Sequence, residues 1–237
     1  MLTEMSSVKS QLSDKKYERY WNSFWRDMPE GFALGKDPAE FVLNAVAELK
    51  VSGTRIVLDV GCGDGRNYRL LRQSGFHVVG LDIVHRAVGL LKKNISFDSR
   101  STLSCQGRVQ ALPFRAETID TIVASDLFSH LLDWHTALDE CWRVLKTGGY
   151  LLCNPLSLHD DLYGKGNFVT RNAYFYQERL MRFCSDEDIY ASFARTKLHI
   201  ARCVEGFRED PPHPKFMDTK HRHVFWNVWA QKLGGDT

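Results

Sequence analysis

Val57-Leu58-Asp59-Val60-Gly61-Cys62-Gly63-Asp64-Gly65-Arg66-Asn67 decides how this chain is read. The run Ile56 to Val60 ends in three glycines at alternate positions, and a helix-like segment, Arg66 to Gln73, follows directly. This is the pattern of a buried strand, a tight turn and a helix start. Glycines serve where the backbone turns sharply or meets a ligand with no Cβ in the way. Val78-Val79-Gly80-Leu81-Asp82 then reads as a second strand ending in an acid. Asp82 lies 21 residues after Gly61. At that spacing a second-strand carboxylate meets the ribose hydroxyls of a nucleotide-like cofactor.

The glycine spacing bears on which cofactor. A dinucleotide site uses Gly-x-Gly-x-x-Gly, with helix amides facing a pyrophosphate. Here the third glycine, Gly65, comes one residue early, and Arg66 stands where that pattern needs glycine. Asp59, two residues before Gly61, would repel a pyrophosphate but suits an ammonium or a hydrogen-bond network around an amino-acid tail. The stretch resembles motif I of the class I S-adenosylmethionine-dependent methyltransferases. The resemblance continues in order through Gly80-Leu81-Asp82-Ile83, Gly107-Arg108-Val109-Gln110-Ala111-Leu112-Pro113-Phe114, Ile119 to Asp126 with His130-Leu131 behind it, and Ala137 to Leu152. It covers about residues 54–153 and extends less clearly over the remainder.

That resemblance implies a Rossmann-like, mostly parallel seven-stranded α/β sheet with helices on both faces and an antiparallel last strand. It implies S-adenosyl-L-methionine as cofactor. Asp59, Gly61, Cys62, Gly63 and Gly65 would form the turn around the methionine tail, and Asp82 would accept from the ribose. Ile83, Arg108 and Val109 would border the adenine, and Ser125 would end strand four beside the cofactor's amino group. Relatives often carry an aspartate where this chain has Arg108, which cannot accept a hydrogen bond. Side-chain recognition of the adenine is therefore in question here.

Composition bounds the rest. At 237 residues, one α/β domain with an elaboration is the natural size. A net charge of +2 supplies no general drive towards nucleic acid. The six cysteines form no CxxC or Cys/His metal spacing, so no metal is expected and a reducing compartment is the simple reading. No apolar run approaches membrane-spanning length, and Met1 to Lys16 is too polar for a signal peptide, so the expectation is a cytoplasmic protein, monomer or homodimer.

Residues 1–53 read as an N-terminal helical segment and 54–237 as the methyltransferase domain, with a substrate-side insertion at about 155–183. Residues 1–13 are polar and expected to lack structure. Tyr17, Tyr20, Trp21, Phe24 and Trp25 fall along one face of a helix over 14–28. A second helix is expected over 38–50, with Asp37 as cap. Strands are expected at about 55–60, 77–82, 101–106, 119–125 and 149–154, with helices at 66–74, 85–94 and 134–146. Ser185 to Asp188 opens another helix with a capping-box-like start. Lys197 to Phe207 and His221 to Lys232 read as the last two strands, joined by a loop holding Pro211, Pro212 and Pro214. That loop and His221-Arg222-His223 should rim the ligand crevice, at the carboxyl end of the sheet.

For the substrate side, Asp126 and His130 follow strand four at that end, and His130 is the candidate general base. Tyr17, Tyr20, Trp21 and Trp25 are candidates for a lid over cofactor and substrate. Tyr163, Tyr174, Tyr176, His221 and His223 are candidates to contact the substrate. The expected activity is methyl transfer to a small-molecule acceptor. The alternatives are a tRNA or protein methyltransferase, and a non-catalytic regulator that binds the same cofactor.

Overall fold

The computed structural model describes residues 16–28, 30–32, 35–95, 102–212 and 219–234. Residues 1–13 and part of the proline-rich loop lie outside them.

β1 (Ile56–Val60) is the centre of the sheet. Val57 to Val60 are buried, as befits a strand covered on both faces by helices. β2 (His77–Asp82) and β4 (Ile119–Ala124) flank it in parallel. β3 (Leu103–Gln106) extends the sheet beyond β2, and β5 (Leu145–Cys153) lies beyond β4. The crossovers carry α3 (Arg66–Gln73), α4 (His85–Asn94) and α5 (Trp134–Val144). β10 (Leu198–Asp210) and β11 (His221–Lys232) pair antiparallel, and β11 is antiparallel to β5. The seven expected strands thus run β3-β2-β1-β4-β5-β11-β10 with the seventh reversed, as the resemblance implied.

Four further strands occupy the region read only as an insertion. Beyond Asn154 the chain leaves β5 and forms β6 (Leu156–Ser157), which touches β11 at Phe225. β7 (Asn167–Thr170), β8 (Ala173–Tyr176) and β9 (Arg179–Cys184) follow as a meander joined to the sheet through β6, making eleven strands among the described residues. α6 (Asp186–Arg195) then starts with the expected capping box: the Ser185 side chain accepts from Asp188 N, and the Asp188 side chain accepts from Ser185 N.

Two helices precede the sheet, α1 (residues 16–26) and α2 (Glu40–Val51). Asp37 does not cap α2. The residue at the cap is Ala39, and its N–H is taken by Asn67 Oδ1, 2.9 Å away on α3. This long-range bond ties the start of α2 to α3, just after the glycine-rich turn. Among the described residues no helix is long and apolar enough to cross a membrane. All six cysteines are free.

Candidate active site

The carboxyl ends of β1, β2 and β4 open into a cavity of about 1240 Å³, bordered by α1, α2 and the β10–β11 ribbon. An open α/β sheet offers its crevice at this end.

The glycine turn forms one wall. Gly61, Gly63 and Gly65 have φ of +69°, +53° and +98°. A Cβ on Gly63 would stand 3.0 Å from Trp25 Cζ2, so the α1 indole lies directly on the turn. Asp82 also faces the cavity. Its Oδ2 accepts from Gly63 N at 3.0 Å and its Oδ1 from Val84 N at 2.9 Å. Burial raises its carboxyl to about 6, against the pull of those amides. With the Ile83 amide also bonded, the carboxylate keeps an acceptor position for a ribose hydroxyl.

Asp59 stands behind this wall and is absent from the residues lining the cavity. It accepts the Tyr68 N–H, while its Oδ2 is buried with no hydrogen-bond partner. Burial, only partly offset by Arg66, lifts the carboxyl to about 7. Asp59 thus braces the turn rather than presenting itself to a ligand. The site fits an S-adenosylmethionine-like molecule. Backbone without Cβ atoms at Gly61 and Gly63 leaves room for an amino-acid tail, and Asp82 offers an acceptor to a ribose.

Gly107, Val109, Gln110 and Ile83 continue the wall on the adenine side. Arg108 lines it too, but its guanidinium is ion-paired with Glu18 of α1. Where an acceptor for adenine was expected to be missing, the arginine ties the N-terminal helix to the cavity rim. Ser125 lines the cavity with its Oγ buried and unpartnered.

The other half of the cavity is polar on one side and aromatic on the other. Asp126, at φ +54°, exchanges two hydrogen bonds with Asn154 and accepts from Arg66 Nη2 at 2.6 Å. Burial would raise its carboxyl, but Arg66, Arg208 and Asn154 outweigh that and hold it at about 2. His130 is buried, with Nδ1 2.8 Å from the Leu180 carbonyl. A carbonyl only accepts, so Nδ1 carries the proton and Nε2 is left as a base. Burial and Arg179 push the imidazole down to about 4, so it is neutral near pH 7. Trp21 meets the His130 ring edge-on at 5.1 Å.

The expected substrate residues divide. Tyr17, Trp21, Trp25, Asp126, His130 and His223 line the cavity. Tyr20 does not; it packs in the α1 aromatic cluster against Trp21 and Phe24. Tyr163, Tyr174 and Tyr176 are also elsewhere: Tyr174 and Tyr176 pack on a separate cluster of Leu156, Leu162, Met181 and Phe183, with Tyr163 against Phe183. The β7–β9 meander needs its own apolar seam, and these rings supply it. His221 lies behind His223, ring centroids 4.8 Å apart, and is not on the cavity wall. Several wall residues were not foreseen. Arg66 follows Gly65 directly and was legible as cavity-facing. Asn154 closes an expected strand at the crevice end, whereas Arg179, Arg208 and Phe207 reach the cavity only through strand pairing and carried no local signal.

Comparison with known proteins agrees with this geometry. Residues 58–153 match a family profile described as "Methyltransferase domain". The chain is 34% identical over 114 residues to the human mitochondrial ubiquinone biosynthesis O-methyltransferase, covering 46% of this chain and 31% of that protein. It is 30% identical over 124 residues to the ubiquinone biosynthesis O-methyltransferase of Cereibacter sphaeroides, covering 50% and 48%. The chain thus matches less than half the length of these curated relatives. Among solved structures, a putative methyltransferase from Bacillus halodurans superposes with a TM-score of 0.64 at 15% identity, covering 81% of this chain and all of that one. A SAM-dependent methyltransferase from Methanosarcina mazei gives 0.63 at 19%, covering 83% and 99%. The glycine turn, Asp82 and the sheet order agree with that match: residues 58–153 form a methyltransferase domain, with the motifs and fold that the class I S-adenosylmethionine-dependent resemblance implied.

Proposed function

We propose that this chain methylates an oxygen of a small molecule held in the half of the cavity bounded by Trp21, His130, Arg179, Phe207 and His223. The observation that carries this reading is that one continuous cavity, among the described residues, joins Asp82 and the glycine turn to His130. A volume of about 1240 Å³ suits a cofactor together with a small acceptor. The net charge of +2 offers no general pull on RNA.

S-adenosylmethionine, when bound, supplies a methyl group already activated on a sulfonium. The chain's task is to align an acceptor with it and to exclude water, contributions worth about 7–11 kcal/mol when geometry is ideal. A hydroxyl acceptor must also lose its proton. His130 Nε2 is the neutral base on the acceptor side, and its tautomer is held by Leu180. The O–H bond breaks towards Nε2 as the oxygen takes the methyl group. The low basicity of His130 demands an acceptor hydroxyl that is itself acidic or acidified, such as a phenol. The O-methyltransferase names of the curated relatives support oxygen as the reacting atom. The α1 aromatics, fastened by Arg108–Glu18 and by Arg86 Nε to the Trp25 carbonyl at 2.8 Å, serve as the lid.

The test is transfer of labelled methyl from S-adenosylmethionine into cell extract fractionated by size. Label should enter the low-mass fraction in a base-stable ether. Label in RNA or protein, or binding of S-adenosylhomocysteine with no transfer to any fraction, would overturn this reading.

A further inference from the structure

We propose that Asp210, His221 and His223 form a binding site for one divalent transition-metal ion of the zinc class at the substrate edge of the cavity. No metal was expected from the cysteine and histidine spacing, because the two histidines sit two residues apart on a strand and the acid comes from its neighbour. Tertiary pairing assembles the group: Asp210 is the register partner of His221, and Arg208 of His223, across β10 and β11. One ligand atom from each of Asp210, His221 and His223 lies within 4.8 Å of the others. His223 Nε2 stands 3.9 Å from Asp210 Oδ2. A bound zinc ion holds nitrogen and oxygen donors at about 2.0–2.2 Å, hence roughly 3–3.6 Å apart. Side-chain adjustments of about 1 Å would close the group on an ion.

A second observation points the same way. Metal-binding histidines almost always donate their other ring N–H to a carbonyl or carboxylate, which fixes the tautomer and aims the lone pair. Both histidines here do so. His221 Nδ1 is 3.0 Å from the Thr219 carbonyl, and His223 Nδ1 is 3.0 Å from Asp160 Oδ2. Asp160 is itself anchored, accepting from Leu162 N at 2.8 Å and Val224 N at 2.9 Å, with its side chain fully buried. With both Nδ1 atoms occupied, each Nε2 is the lone-pair nitrogen. Arg208 binds the Asp210 carboxylate at 2.7 and 3.1 Å, but a carboxylate has about four acceptor positions and can serve both.

Two imidazoles and one carboxylate make a donor set for zinc or another borderline ion, since magnesium and calcium are taken by oxygen ligands. Three protein ligands leave a position open, as in catalytic zinc sites. His223 and Asp210 line the acceptor half of the cavity, so that position faces the acceptor. On the reading that the acceptor is a hydroxyl, the ion would bind its oxygen and acidify it, supplying what His130 alone lacks.

The experiment uses the full chain, stripped with chelator and titrated with cobalt(II). One equivalent should bind and give the intense visible bands of a low-coordinate nitrogen–oxygen site, displaced by zinc and not by magnesium. His221→Ala and Asp210→Asn should each weaken binding at least 10-fold. Each is checked for fold by calorimetric binding of S-adenosylhomocysteine, and whichever variant retains that binding decides the matter. No stoichiometric uptake by the wild type, or uptake unchanged in a folded variant, overturns the metal site. Failure of the wild type to bind S-adenosylhomocysteine overturns the methyltransferase reading instead, so the two failures are distinct.

Discussion

Asp82→Asn tests the cofactor site most sharply, because two measurements should move in opposite directions. The wild-type carboxyl is lifted by burial to about 6 from its ordinary 3.8. A carboxyl raised by folding stabilises the native state fully below pH 3.8. That contribution is lost as pH rises through about 6. At about 1.36 kcal/mol per pH unit, the loss approaches about 3 kcal/mol by pH 8 in the ligand-free protein. Ligand affinity should run the other way. The ribose hydroxyls need the ionised acceptor, so S-adenosylhomocysteine should bind roughly 10-fold more weakly at pH 5 than at pH 8. Asparagine removes both slopes. It also sets an NH₂ against either Gly63 N or Val84 N, which now donate to the two carboxylate oxygens. Loss of charge-assisted bonds should cost about 2–3 kcal/mol of affinity at pH 8, roughly 30- to 150-fold. Denaturant unfolding across pH 4–8 and calorimetry over the same range provide the readouts. A folded variant that binds within about threefold of the wild type, with the wild-type affinity flat in pH, would refute the assignment of Asp82 to the ribose.

Arg108→Gln should release α1 from the rim. Limited proteolysis should then cut faster after Arg19 in the ligand-free variant than in the wild type, and S-adenosylhomocysteine should protect the wild type. His130→Gln should abolish turnover of a hydroxyl acceptor while leaving S-adenosylhomocysteine affinity unchanged. Because burial holds His130 at about 4, native stability from this group is full above pH 6.5 and falls as pH drops towards 4, which NMR titration of the imidazole can follow. Cys62, Cys141 and Cys153 have thiols pushed up by burial, so alkylating reagents should modify them at pH 8 only on unfolding, as read by mass spectrometry.

Several features of this protein are written locally and were legible. The strand-turn-helix around Gly61 to Gly65 reads from the chain because a hydrophobic run, a positive-φ requirement and a helix start are all short-range. The order of strands and helices, and the Ser185–Asp188 capping box, follow from the same short-range rules. The antiparallel last strand came through the family resemblance. Other features exist only once distant segments meet. Asp37 does not cap α2; instead the Ala39 N–H at its start donates to Asn67 Oδ1, 28 residues away in sequence, which only the packing of α3 brings there. Tyr163, Tyr174 and Tyr176 read as pocket aromatics, yet the β7–β9 meander needed them for its own seam. Asp59 reads as a ligand contact, yet β1 points its carboxyl behind the turn. Arg108 breaks the family pattern in the sequence, and only the packing of α1 shows Glu18 as its partner. The convergence of Asp210, His221 and His223 belongs to this second class. Side-chain alternation puts the histidines on one face, but the acid joins them through the register of β10 on β11, which hydrogen bonding between remote strands decides and no local spacing encodes.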